Sequence, residues 1–160
     1  MKVNTLSKRD TVTLINHIKK SWPPQSFPNF KNICRYEIEK ERSLYAYENF
    51  IAIKINDIIL PFLGSIDTLK FFPTVVIDMG AVKFVCNGAK VARPGITKMA
   101  GFNKNDIVII KDEKYSKYLA VGIAMEDSKI AESNTTGHVV NTMHYVGDKF
   151  WNLHKGIKSL

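Results

Sequence analysis

A twenty-residue stretch near the middle of the chain, Ile77–Ile96, constrains the fold more than any other part of the sequence. Within it, Ala81, Val82 and Val85 recur at helical spacing, which predicts a short amphipathic helix with one side against a core. The Asn87-Gly88 pair that follows predicts the end of this helix, because glycine readily adopts a positive φ. The stretch therefore predicts a strand end, a short helix and a tight turn in close succession.

Basic side chains surround the two glycine turns of this stretch. Lys83, Asn87 and Lys90 are three and four residues apart, so their polar groups would gather on the side away from the core. The loop Arg93–Gly95 adds another cation beside a proline and a second glycine. A small turn flanked by cations lets a phosphate chain approach closely, which favours nucleic-acid binding. An ordinary capped helix with solvated lysines is the alternative, because charged residues mostly lie on solvated surfaces.

Composition agrees with a polyanionic partner without naming one. The chain has 160 residues, 45% of them hydrophobic, which suits one globular domain or two small ones. Its net charge is +8, and the basic residues are spread over both halves instead of forming a tail. Such a balance favours binding to a polyanion, although a basic protein without such a ligand fits it too.

The residues that could support catalysis or bind a metal are few and scattered. Cys34 and Cys86 form no CxxC pair, which argues against a zinc knuckle. His138 and His144 share a predicted strand face, but ~20 Å would separate them at strand rise, so they reach one metal only if the strand bends. We found no nucleophile with a base and no dinucleotide fingerprint. The sequence therefore predicts a protein without catalytic residues, metal or cofactor.

The cysteines and the hydrophobic runs also bear on location. Two free thiols in a chain without a signal peptide predict the reducing cytoplasm. The longest apolar run, Ile58–Leu63, is far too short to span a bilayer. We therefore expect a cytoplasmic protein without a membrane partner.

The remaining sequence predicts an α+β fold in two units. A helix from Ser7 to Lys20, with Ser7 as its cap, should end before Pro23-Pro24. Strands and one short helix would complete an N-terminal α+β domain, residues 1–72, and a small mixed β-barrel would form the second domain, residues 73–160. The predicted strands cover residues 33–38, 44–47, 51–55, 58–63, 74–77, 107–110, 119–124 and 137–146, and the short helix covers residues 65–70.

A hairpin in the second unit offers another surface that could bind RNA. Tyr115–Tyr118 interleaves aromatic and basic side chains, and aromatic faces can stack on unpaired bases. We favour the alternative, in which the tyrosines pack on their own strands. The neighbouring acids Asp112 and Glu113 lie in a lysine-rich turn and are expected to be solvated.

The second unit contains four ordered blocks that carry a family resemblance: Asp78–Thr97, Asp106–Ile110, Ala120–Met125 and Gly137–Trp151. Together they resemble a PUA domain, a small RNA-binding β-barrel. Their sequence is most similar to the archaeal type of the MCT (malignant T-cell-amplified sequence) family of translation proteins. The N-terminal unit resembles the domain that precedes PUA in those proteins by its length and helix-first layout.

The resemblance implies where RNA would bind. In PUA domains the RNA rests against the short helix, the loop after it and the adjoining last strand. Backbone groups near Gly88 and Gly95 would approach the RNA, while Lys90 and Arg93 would meet phosphates, which fix position without reading sequence. The implicated residues are Lys83, Asn87, Gly88, Ala89, Lys90, Arg93, Pro94, Gly95 and Ile96, with His138 and His144 from the last strand.

The resemblance also implies a function in translation. We expect a non-catalytic RNA-binding protein that acts in initiation or recycling through the tRNA acceptor end or ribosomal RNA. The N-terminal half would dock on the small ribosomal subunit or on a partner with the SUI-type fold. Alternatively, the chain is an accessory subunit that presents tRNA or rRNA to a separate RNA-modifying enzyme. A catalytic RNA-modifying enzyme is a third possibility, against which the missing acid–base or cofactor constellation argues.

Overall fold

The structure is a computed structural model that describes residues 1–29 and 31–157. Within these residues the chain forms two sheets. The first is a five-stranded antiparallel meander in which each strand pairs with the next along the chain. In chain order its elements are β1 (Lys2–Thr5), α1 (Lys8–Ser21), β2 (Cys34–Glu39), β3 (Arg42–Tyr47), β4 (Phe50–Ile55), β5 (Ile58–Pro61) and the short helix α2 (Ile66–Leu69).

The second sheet is mixed and curls into a near-closed barrel, which confirms the predicted α+β class. Its elements are β6 (Thr74–Ile77), α3 (Met79–Val85), β7 (Val91–Ala92), β8 (Ile96–Met99), β9 (Ile107–Asp112), β10 (Tyr118–Ala124), α4 (Ser128–Ser133), β11 (His138–Tyr145) and α5 (Lys149–His154). The strand order is β7-β11-β10-β9-β6-β8, with β6 and β9 parallel and the other neighbours antiparallel.

Helix α1 forms as the sequence predicts. The Ser7 hydroxyl accepts a hydrogen bond from the backbone N–H of Asp10 at 3.0 Å, so it caps the helix. Leu14 and Ile18 are buried against the first sheet. The helix ends at Trp22, whose indole N–H donates to the carbonyl of Ile59 at 3.0 Å. This bond fixes the end of α1 to β5.

Two hydrophobic cores hold the sheets together, and one of them crosses between the sheets. The first core gathers the apolar side of α1 and the first sheet, but it also includes Ile107, Ile109, Val121 and Phe150 from the second half. The second core fills the barrel around Val75, Val108 and other apolar residues. The two halves therefore share packed side chains, and the division into domains at residue 72 stays a prediction.

Several elements of the structure were not predicted from the sequence. Strand β1 is exposed along its whole length and shows no apolar alternation. Strands β7 and β8 have two and four residues, too few to show a period. Helix α5 begins at a cap on Asp148, whose carboxylate accepts from the backbone N–H of Trp151 at 2.8 Å. The three strands are specified by their neighbours more than by their own pattern, whereas α5 has a local start signal in Asp148.

Candidate nucleic-acid interface

Helix α3 and its turn form from purely local signals. The Asp78 carboxylate accepts from the backbone N–H of Ala81 at 2.9 Å and caps the helix start. The chain leaves the helix at Gly88, whose φ is +89°, a conformation that suits glycine. The backbone N–H of Ala89 then bonds back to the carbonyl of Phe84 at 3.0 Å. The predicted glycine cap is thus present in the structure.

The loop Arg93–Gly95 forms a single 3₁₀ turn that lies against the start of α3. The carbonyl of Gly95 accepts from the backbone N–H of Asp78 at 2.9 Å. A Cβ placed on Gly95 would lie 3.1 Å from the Cβ of Ala81, so a larger residue would require the turn or the helix to shift slightly. Glycine at this position therefore allows the turn to pack closely on the helix.

Strand β11 supports the same loop from the other side. Its residue His138 lies opposite Ala92 of β7, and the backbone N–H of Arg93 donates to the carbonyl of Gly137 at 2.8 Å. Farther along β11, the ring of Tyr145 lies so close to Gly88 that a Cβ there would approach it to 3.2 Å. The segment from Asn87 to Gly95 is thus held between α3 and β11.

We call the exposed part of this region the turn face. Judged by backbone position and exposure, most of the predicted residues lie together in this region. Gly88, Arg93 and Gly95 are half-buried at its base. The turn face consists of the exposed residues Lys83, Asn87, Ala89, Lys90, Pro94 and His138.

The side chain of Arg93 has a structural role that the sequence did not reveal. Its Nε donates to the carbonyl of Ala131 at 2.8 Å, and its Nη1 donates to the carbonyl of Ile96 at 3.3 Å. The guanidinium therefore ties the end of α4 to the turn. The sequence predicted that Arg93 would meet phosphates. The structure corrects this for two of its three guanidinium nitrogens, which bind the protein itself.

Two predicted contact residues lie inside the protein. The side chain of Ile96 packs in the barrel core and is only 7% exposed. His144 is completely buried. The prediction that His144 shares an accessible face with His138 is wrong, because the strand leaves the surface between them.

His144 belongs instead to a buried polar corner between the two sheets. Its Nδ1 lies 2.7 Å from the Asp148 carboxylate, and its Nε2 accepts from the backbone N–H of Leu63 at 3.2 Å. The ring also stacks on Phe62 with 5.3 Å between centroids. An imidazole that accepts at Nε2 carries its proton on Nδ1, so Asp148 is the acceptor of that proton.

Asp148 is the most heavily bonded side chain of this corner. Besides His144, its carboxylate accepts from the backbone N–H groups of Tyr145 at 3.0 Å and Trp151 at 2.8 Å. Burial acts to raise the pKa of Asp148, but the hydrogen bonds from His144 and from the two backbone N–H groups outweigh it and hold the pKa below its usual value. Asp148 therefore stays ionised inside the fold.

Sequence reasoning missed two exposed apolar side chains on α3. Phe84 is 59% exposed and lies beneath the Lys83 ammonium, 5.1 Å from ring centroid to Nζ. Met79 is 40% exposed at the start of the helix. Both fall outside the core positions Ala81, Val82 and Val85, so the helical period alone indicates that they face outward.

Each of the two predictions made for the 112–118 hairpin holds only in part. Glu113 is exposed as expected, but Asp112 is buried, and its carboxylate accepts from the backbone N–H groups of Tyr115 and Lys117. Tyr118 packs against the first core, whereas Tyr115 is 67% exposed with the Lys114 ammonium over its ring. The hairpin is thus a second place where an aromatic and a cation face solvent together.

Within residues 1–29 and 31–157, no group of three or more His, Cys, Asp or Glu side chains is arranged to hold a metal ion. No helix in the same residues is both long and apolar enough to cross a membrane.

Comparison with known families identifies the barrel. Residues 73–146 match the family model described as PUA domain. This segment of the chain is therefore a PUA domain, in keeping with its mixed barrel and the α3–turn–β11 arrangement. Within that class it resembles the MCT family, whose members include malignant T-cell-amplified sequence 1 and translation machinery-associated protein 20.

Individual relatives support this assignment. An uncharacterized protein of Methanocaldococcus jannaschii is 40% identical over 64% of this chain and 64% of its own length. Translation machinery-associated protein 20 of Saccharomyces cerevisiae is 36% identical over 51% of this chain and 49% of its own length. The matched part of the chain thus spans about half to two thirds of these relatives. A hypothetical protein of Pyrococcus horikoshii has the same fold, with a TM-score of 0.77, 25% identity and coverage of 95% of this chain and 99% of its own.

Proposed function

We propose that the chain is a non-catalytic RNA-binding protein and that RNA binds on the turn face. The observation that carries the proposal is the packing of Gly88 and Gly95 between α3 and β11. This packing leaves main chain at the surface beside the exposed cations Lys83 and Lys90. The PUA match supports RNA as the polyanion.

Each part of the turn face has a distinct role in this proposal. Lys83 and Lys90 meet phosphates, which supplies affinity without sequence readout. Phe84, which lies next to Lys83 on α3 outside the turn face, adds an exposed ring on which an unpaired base stacks. Asn87 and His138 supply hydrogen bonds at the two ends of the loop. Arg93 fixes the shape of the loop through its bonds to Ala131 and Ile96.

We further propose that the protein works in translation, in the cytoplasm. The name of the yeast relative, translation machinery-associated protein 20, supports the process, and two free thiols, Cys34 and Cys86, fit a reducing compartment. The RNA would be the tRNA acceptor end or ribosomal RNA. The N-terminal half would dock on the small ribosomal subunit or on a protein of the SUI-type fold.

The accessory-subunit alternative makes a different prediction about partners. Affinity purification from cells should recover ribosomal subunits if the chain acts in translation. Recovery of an RNA-modifying enzyme without ribosomal subunits would favour the alternative, in which the same face presents RNA to that enzyme.

RNA binding itself is tested by removing the two cations of the turn face. The double variant Lys83→Ala/Lys90→Ala should bind a fluorescent tRNA transcript about tenfold more weakly. Its log–log salt slope should be shallower by ~1.4, because two phosphate contacts are lost. Fluorescence anisotropy at several salt concentrations measures both quantities.

A matched control separates this site from general basicity. Lys19→Ala/Lys20→Ala removes the same charge from exposed positions of α1, at the other end of the sequence. This control should keep its affinity within about twofold. Equal weakening by both double variants would show that the turn face is not the binding site.

A further inference from the structure

A small pocket lies between α1 and the first sheet, in the N-terminal half of the chain. Its volume is about 290 Å³. Helix α1 supplies one wall with Asp10, Thr13 and His17, and the sheet supplies the other with Arg35, Tyr45 and Lys54. This size lies at the lower end of the range for small-molecule pockets.

Strand register places the three polar side chains of the sheet wall on one face. Arg35 of β2 lies directly opposite Tyr45 of β3. Lys54 of β4 lies opposite Ser43, which is two residues from Tyr45 on β3. Residues two apart on a strand point to the same side, so Arg35, Tyr45 and Lys54 all face α1. The sheet thus directs two cations and a phenol into one pocket.

Tyr45 brings a hydrogen-bonding group to the wall of this pocket. The residue is only 7% exposed and lines the pocket. A phenol hydroxyl can both donate and accept, so Tyr45 can bond to a molecule that enters the pocket.

The charges of the pocket favour a negative group. Lys54 is half-buried and, in the part of the chain that the structure describes, forms no ion pair. Arg35 donates through Nε to the Ser43 hydroxyl at 3.2 Å and lies 3.5 Å from the Glu37 carboxylate through Nη2. That ion pair is partly exposed and therefore weak. Two cations face the single lining carboxylate of Asp10, on the opposite wall.

The protonation state of Tyr45 suits the same role. Burial raises the pKa of Tyr45, although the Arg35 guanidinium acts to lower it. The phenol therefore keeps its proton at neutral pH and can donate it in a hydrogen bond.

We propose that this pocket binds a small molecule carrying an oxyanion, either a phosphate or a carboxylate group. Lys54 and Arg35 bind the anionic oxygens, and the Tyr45 hydroxyl donates to one of them. Asp10 and Thr13 on the helix wall accept hydrogen bonds from hydroxyl or amino groups on the rest of the molecule. The pocket is separate from the turn face, and the proposal does not depend on RNA binding there.

Calorimetric titration of the full chain tests the proposal with inorganic phosphate and with citrate at constant ionic strength. We expect saturable binding of at least one of them with one site per chain. Saturation by phosphate alone identifies a phosphate ligand, and saturation by citrate alone identifies a carboxylate ligand. Absence of saturable binding of either anion up to about 20 mM would overturn the proposal.

Three variants locate the bound anion. Tyr45→Phe removes one hydroxyl and should weaken binding about threefold to tenfold, and Lys54→Met should weaken it at least tenfold. Lys114→Met removes the same charge from the exposed hairpin of the barrel and should leave the affinity unchanged. If Lys114→Met weakens binding as much as Lys54→Met, the anion responds to overall charge and the pocket is not a site. Neither pocket variant touches the turn face, so failure here leaves the RNA proposal standing.

Discussion

The two ends of β11 carry the same residue in opposite surroundings. His138 begins the strand, lies exposed beside Ala92 and belongs to the turn face. His144, near the other end, is sealed between the sheets and bonded to Asp148 and Leu63. The difference shows that residue type and strand period do not decide whether a histidine lies exposed or buried. The partners that the rest of the chain supplies decide it.

The contacts at the His144 end of β11 explain how the His138 end can offer a surface of fixed geometry. Through Leu63 and Phe62, the His144 corner fastens β11 to the segment that follows the first sheet. Through Tyr145, the same strand supports Gly88 of the turn face. A site mounted on a strand that is fixed in this way keeps its geometry better than one on a free loop.

The largest effect is expected from removing Asp148. The variant Asp148→Ala leaves His144 and two backbone N–H groups without their acceptor and removes the cap of α5, which should lower the free energy of unfolding by about 3 kcal/mol. Urea unfolding followed by circular dichroism measures the loss. As the matched change at the exposed end, His138→Ala should cost no more than ~0.5 kcal/mol. Similar losses of stability in both variants would show that the buried end of β11 contributes no more to stability than the exposed end.

Low pH should lower the stability of the fold around His144, because the Asp148 carboxylate becomes protonated. Two aspartates, Asp112 and Asp148, have their pKa held below the usual value; for Asp112, burial acts to raise it but backbone N–H donors prevail. A depressed pKa means that the folded state binds fewer protons than the unfolded state, whose carboxyls titrate near ~3.9. The stabilisation is therefore complete above about pH 4 and is lost as the pH falls through the folded pKa values.

Denaturant midpoints at pH 7 and pH 3 measure this loss. The wild-type protein should lose stability between the two values, and Asp112→Asn/Asp148→Asn should lose less. An equal loss in the double variant would mean that other carboxylates govern acid stability.

Gly88 tests the link between the supporting strand and the turn. Gly88→Ala forces an alanine into φ +89° with its Cβ 3.2 Å from the Tyr145 ring, so we expect a loss of ~1–2 kcal/mol. The same variant should bind the tRNA transcript several-fold more weakly, because the turn shifts. Gly101→Ala is the matched control, since a Cβ there would meet nothing within 4 Å. Unchanged RNA affinity in Gly88→Ala would show that RNA binding does not depend on the shape of this turn.

The smallest effect is expected at the middle of β11. Within the described residues, the Thr142 hydroxyl is the buried side-chain polar atom without a hydrogen-bond partner. Thr142→Val keeps the shape and removes the unpaired group, so stability should stay the same or rise by up to ~1 kcal/mol. A loss above 1 kcal/mol in thermal or urea unfolding would show that this hydroxyl has a partner in solution.

Local pattern was enough to predict much of the fold. The Ser7 cap predicted where α1 starts, and the core positions Ala81, Val82 and Val85 predicted the short helix. The alternation of Ile51, Ile53 and Ile55 predicted strand β4 of the first sheet. These features depend on neighbours within a few residues, which is the range that periodicity and capping report.

The features that escaped prediction depend on distant partners. The bond between His144 and Leu63 joins residues 81 positions apart, and the bond between Arg93 and Ala131 joins residues 38 positions apart. No local pattern carries that information. The sequence therefore allowed us to name Arg93 and His144 as candidates. It did not allow us to predict that distant parts of the chain bind their side chains.

The most direct test of the central claim is crosslinking of the full chain to a bound tRNA transcript, followed by mass spectrometry of the attached peptides. We predict crosslinks within residues 83–95 and at His138, and none on α1. Crosslinks confined to Lys114 and Tyr115 of the hairpin, or to the N-terminal half, would contradict RNA binding at the turn face.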